Sequence, residues 1–125
     1  MKKVIAIPGA PAPIGPYSQA VQHGNQLFVS GQIGLNPHTG EWVNDSIESE
    51  TQQVMDNINA LIEAAGFTKD DIVKCSIFLK DMGDFEAVNG VYAAFFAPPF
   101  PARETVQVSV LPKDVNVEIS VIACK

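Results

Sequence analysis

The residue types that could do chemistry gather late in the chain. In "PPFPARETVQVS" (Pro98–Ser109) an arginine stands where a proline-rich turn becomes a strand. From there the residues alternate: Arg103, Thr105, Gln107 and Ser109 on one parity, Glu104, Val106, Val108 and Val110 on the other. Such alternation reads as a half-buried strand, with only Glu104 breaking its apolar parity. An arginine at the mouth of that strand is either a solvated edge charge or an anion receptor. Further on, "VNVEISVIAC" carries Glu118 and Ser120 on one parity and Val115, Val117, Ile119, Val121 and Ala123 on the other. Gly31 sits inside the strand-like "NQLFVSGQIG", where a glycine marks a bulge or a close backbone approach. Asn89 falls on or beside the apolar face of a helical segment, so it must find hydrogen-bond partners.

Other chemistries are poorly served. Cys75 and Cys124 form no CxxC pair, and His23 and His38 complete no metal-ligand spacing. The cysteines read as small core or near-core residues, and no metal site is expected. The net charge of -6 disfavours nucleic acid, whose binding needs a basic stripe. "MKKVIAIPGAPAPIGPY" is not patterned as a signal peptide, and no stretch approaches the ~20 apolar residues of a membrane helix. A cytoplasmic setting is therefore expected.

A scaffold must position these groups. The 125 residues, 46% hydrophobic and 18% charged, suit one soluble domain spanning 1–125. Val4–Ile7 reads as a short strand, and "GAPAPIGP" after it as irregular. Asn25–Gly34 reads as a strand and Asn36–Glu41 as a turn. Ile47, Thr51, Val54, Met55, Ile58, Leu61, Ile62 and Ala65 recur at helical steps, with Ser46 as N-cap and Gly66 as the stop. "DIVKCSIFLK" is a strand with Val73, Cys75, Ile77 and Leu79 facing one way. A second helix starts near Asp81–Asp84, with Phe85, Val88, Tyr92, Phe95 and Phe96 as its apolar face. Trp42, in a turn-rich segment, reads as packing.

This order gives an α+β fold: a two-layer sandwich, a mixed sheet with two helices on one face. The other face is expected to carry Thr105, Gln107, Glu118 and Ser120. That is too polar for a monomer core, so oligomerisation with polar pockets between subunits is expected.

Four segments, "IGPYSQA", "VSGQIG" with "NPHTGE", "DFEAVNGVYAAFF" and "PARETVQVSVLPKDVNVEI", stand in an order that resembles the RidA (YjgF) family over nearly the whole chain. The resemblance implies a fold like trimeric bacterial chorismate mutase and a homotrimer with clefts between subunits. It implies hydrolysis of reactive 2-imino acids (2-iminopropanoate and 2-iminobutanoate) to 2-keto acids and ammonia, without a cofactor. Arg103 matches the family's carboxylate-binding arginine, whose planar fork gives two parallel hydrogen bonds. Gly31 would support that carboxylate through its N–H, and the Thr105 carbonyl would accept from the imine nitrogen. Tyr17 would close the pocket, with Ser30 and Asn89 in its wall.

One departure bears on catalysis. Family members read like "VEIEAIA" where this chain has "VEISVIA", so Ser120 replaces a glutamate taken to position the water. Glu118 is expected to be structural, paired with backbone or a lysine, and to replace that glutamate only in a larger or shifted pocket. The expected function is thus a deaminase, slowed at Ser120. The alternatives are a non-catalytic binder or sensor of small 2-keto acids, or a translation-inhibitor or chaperone-like role.

Overall fold

The computed structural model describes residues 1–7, 13 and 15–125. The irregular segment expected over 9–16 lies outside the described residues, apart from Pro13, Gly15 and Pro16. Six strands and two α-helices follow in the order β1 (Lys3–Ile5), β2 (Ala20–His23), β3 (Gln26–Gln32), α1 (Ile47–Ala64), β4 (Ile72–Leu79), α2 (Phe85–Phe95), β5 (Ala102–Gln107) and β6 (Val117–Cys124). The sheet order is β1-β2-β3-β6-β4-β5. All pairings are antiparallel except β4 with β5, which is parallel and reached through α2. β2 was not anticipated; at four residues it is too short to show a period.

The last strand in sequence lies near the middle of the sheet, and its composition explains why. Val117, Ile119, Val121 and Ala123 are all buried on one side, a face that only a covered strand can carry. They share one core with Leu27 and Val29 of β3, Cys75, Ile77 and Leu79 of β4, and the apolar stripes of α1 and α2. Ser46 caps α1 as its side chain predicts, accepting from the Ser49 N–H at 3.0 Å. Gly66 follows α1 with φ of +82°, a conformation that glycine adopts without strain.

The register corrects two sequence expectations. Val73 does not share the inward parity of Cys75: an irregularity between Ile72 and Lys74 turns Ile72 into the core and leaves Val73 48% exposed. The second correction concerns the functional face. Cys75, Ile77 and Leu79 pair with Arg103, Thr105 and Gln107, so that polar row lies on the helix-covered side of the sheet. Ser76 and Phe78 pair with Ser120 and Glu118, so those two lie on the opposite side, with Glu104 and Val106. The valines of β5 therefore do not mark its inner parity. At the sheet edge, burial of Arg103 and Thr105 under α2 overrides the polar–apolar pattern.

Candidate functional site

Two groups of polar residues are built, one on each face. The first is the corner where β5 meets α2. The Arg103 guanidinium donates from Nη1 to Asn89 Oδ1 at 2.7 Å. Its carbon lies 4.9 Å from the Tyr92 ring centre and 5.7 Å from that of Phe85. Two aromatic faces and one amide thus orient the fork, and cation–π attraction replaces a carboxylate partner. Asn89 serves the arginine, which the helix pattern alone left open. Thr105, next on the same parity, has a buried hydroxyl with no partner among the described residues. β5 is one of the sheet's two edge strands, so one row of its backbone groups is open. Beneath the corner, burial pushes the Cys75 thiol up to about 11, so it stays protonated and is not a nucleophile at neutral pH.

The second group lies around Gly31 and Glu118. β3 bulges between Val29 and Gln32, as a glycine inside a strand predicts. A Cβ on Gly31 would come within 2.5 Å of Glu118 Oε2, so the glycine makes room for the carboxylate above it. Glu118 makes no ion pair with a described residue, so the lysine partner offered as one alternative is not among them. Burial raises its pKa above the ordinary glutamate value. Tyr17, Gly31 and Glu118 line one cavity of about 510 Å3, together with Ile33, Leu35 and Trp42. Ser30 holds the Tyr17 segment to β3: its hydroxyl donates to the Ser18 carbonyl at 2.6 Å and its N–H to that of Gln19 at 2.9 Å.

Ser120 stands elsewhere. It pairs across the ladder with Ser76, whose hydroxyl bonds Glu104, and it does not line the cavity. Trp42 is not core packing either; it is 41% exposed on the cavity wall.

Two supporting residues escaped the sequence reading. Asn57 Nδ2 donates to the carbonyls of Ile33 and Leu35 at 3.0 and 2.9 Å, fixing a cavity wall to α1. Glu50 receives the Asn116 N–H and Nδ2 at 2.9 and 2.7 Å, pinning the turn that leads into β6. Both interrupt the apolar stripe of α1 yet are buried, and that interruption was the available signal.

The comparisons with known proteins agree with this architecture. The endoribonuclease L-PSP profile matches residues 8–125. This chain belongs to that family, the YjgF/RidA family. It is 53% identical over 125 residues to a RutC family protein of Pyrococcus horikoshii, covering 100% of this chain and 99% of the relative. It is 52% identical over 118 residues to the 2-iminobutanoate/2-iminopropanoate deaminase of Dermatophagoides farinae, covering 94% and 92%. The crystal structure of the Escherichia coli YjgF gene product matches with a TM-score of 0.92 at 48% identity, covering 98% of each chain.

Proposed function

We propose that this protein hydrolyses small 2-imino acids to 2-keto acids and ammonia, at a site that two copies complete. The observation that carries the reading is Glu118: a carboxyl with its pKa raised by burial, without a cation partner among the described residues, over a glycine in a cavity. A carboxyl held in this way is a stronger base than an exposed glutamate, which suits taking a proton from water. Relatives at about half identity that carry the deaminase name support the reaction proposed.

Arg103 binds the substrate carboxylate through its fork, with the Gly31 N–H as a second donor and the Thr105 carbonyl accepting from the imine nitrogen. Glu118 takes a proton from water as the water oxygen adds to the carbon of the protonated imine. The carbinolamine then collapses: Glu118 returns that proton to the nitrogen, the C–N bond breaks as the C=O bond forms, the hydroxyl proton passes to solvent and ammonia leaves. Tyr17 covers the substrate, and Ser30 fixes Tyr17. Glu118, not Ser120, holds the water in this scheme. The non-catalytic reading rested on the missing glutamate at 120, a position off the cavity.

Arg103 and Glu118 lie on opposite faces of one sheet, with β4 between their strands. They reach one substrate only if the Arg103 corner of one copy meets the Glu118 cavity of the next. A closed ring of three copies would do so, and would cover apolar residues left open away from the helices, such as Phe28 at 42% and Val106 at 41% exposed. The acidic net charge remains the argument against RNA as a partner. No helix among the described residues is long and apolar enough to cross a membrane. Both cysteines are free, which favours the cytoplasm.

The test is complementation. Arg103→Ala and Glu118→Gln are each assayed for ammonia release from 2-aminoacrylate generated in situ, then unfolded and refolded together. Each alone is expected to be inactive. Equal mixing should restore about a quarter of wild-type activity, since one interface in four then pairs both intact groups. Folded, assembled mixtures that stay silent would sink the shared site. A silent wild type would sink the deaminase reading itself.

A further inference from the structure

The cavity beside Glu118 is much larger than a three- or four-carbon acid requires. At about 510 Å3 it lies within the range, roughly 300–1,000 Å3, that drug-sized ligands fill. We propose that it receives the substrate's side chain, and that Trp42 makes the site favour 2-imino acids with large apolar side chains. This rests on the deaminase reading and specifies its substrate class.

Three observations carry it. First, Trp42 lines the same cavity as the three groups assigned to the reacting end, Tyr17, Gly31 and Glu118, and Ile33 and Leu35 extend its apolar wall. A substrate whose imine carbon lies at Glu118 therefore has an apolar space for what it carries beyond. Second, Trp42 and Tyr17 are 41% and 56% exposed as residues, although both belong to the cavity wall. An open aromatic pair at a concave site gains from being covered, since each ring presents a large apolar area. Third, Trp42 is held in place. It pairs antiparallel with Leu35, flanked by the Asn36 N–H to Glu41 carbonyl and Val43 N–H to Gly34 carbonyl bonds, both 2.8 Å. The Leu35 carbonyl is in turn tied to α1 by Asn57 at 2.9 Å. A ring on such a braced hairpin offers contact area at little further entropic cost.

Trp42 is the only tryptophan, so it reports on its own surroundings. The stable keto acids 4-methyl-2-oxopentanoate and 2-oxobutanoate are titrated against the intact oligomer while tryptophan emission is followed. The branched acid should change the emission at about tenfold lower concentration than the short one, the scale set by a few methylenes in an apolar pocket. In parallel, kcat/KM is measured for the imines of the same two acids, generated in situ by an amino acid oxidase. The ratio of branched to short should exceed one in the wild type. It should fall about tenfold in Trp42→Ala and be largely kept in Trp42→Phe. Turnover of the short imine alone, with no emission change from the branched acid, overturns this inference and leaves the deaminase reading standing. Turnover of neither imine overturns the deaminase reading, and the emission titration still decides whether the cavity takes the branched acid. A ratio unmoved in Trp42→Ala removes Trp42 from the selection.

Discussion

The Arg103 corner and the Glu118 cavity solve opposite problems with the same sheet. At the corner a positive charge is held by two rings and an amide, with no acid paired to it among the described residues. In the cavity an acid is half-buried with no cation paired to it among the described residues. Within one chain they cannot meet, because β4 separates their strands and the pleat sends them to opposite faces. In the proposed site this separation would have a chemical use. On the same face, a guanidinium and a carboxylate two strands apart would attract each other in a poorly solvated setting, and a substrate would have to part them. Divided between faces, both charges would remain available to a ligand at the proposed junction of two copies.

The sharpest way to break the comparison is to neutralise the acid. Glu118→Gln should lower kcat/KM by about 10²–10⁴-fold, the usual worth of a general base. The wild type should lose activity as pH falls through the raised Glu118 value, so its acid limb lies above the ordinary glutamate value of about 4.3. Stability runs the other way. The folded chain holds the Glu118 proton more tightly than the unfolded chain does. Its contribution therefore favours folding most at low pH and is lost as pH rises through the raised value. Glu118→Gln should then remove the acid limb and leave Tm at pH 7 equal or slightly higher. A pH profile unchanged in the variant would take the base role from Glu118.

The corner is tested by keeping its charge and removing its shape. Arg103→Lys retains the cation but not the fork, and a lysine cannot both serve Asn89 and bind a carboxylate by two parallel bonds. Losing one charge-assisted bond, worth about 1.5–3 kcal/mol, corresponds to about 10- to 150-fold. The loss should fall mainly on KM, since the carboxylate is bound before and during reaction alike. An equal fall in kcat with KM unchanged would make the arginine part of the chemical step, not an anchor.

How far the sequence reached can be judged at particular residues. The α1 stripe, its Ser46 cap, its Gly66 stop and the β6 alternation were all legible, because each is set by local periodicity or by one residue's backbone preference. Arg103, Gly31 and Tyr17 stood out through family resemblance. The face each would occupy did not. That depends on which strands pair and in what register, and β5 pairs with β4 through a long-range parallel contact that no local pattern encodes. Alternation in β5 predicts valines inward, whereas α2 packs on the arginine's side. The same gap misdirected the choice between Glu118 and Ser120. The two stand two residues apart on one parity of β6, and only the Gly31 bulge opposite shows which position overhangs a cavity.

That last point yields the smallest and most discriminating expected effect. Glu118 and Ser120 share a parity, and on the sequence Ser120 held the stronger claim to the water. The structure pairs Ser120 with Ser76, whose own hydroxyl is engaged by Glu104, in a polar row crossing β6, β4 and β5. Glu104 is also tied to Lys74 at 3.0 Å. These contacts belong to the face that another copy would cover, not to the cavity wall. Ser120→Ala should therefore change kcat/KM by less than about twofold and stability by no more than ~0.5 kcal/mol, as for substitutions outside a built feature. Ammonia release and thermal unfolding on the one variant decide the matter. A loss of a hundredfold or more would return the water to Ser120 and make Glu118 the bystander.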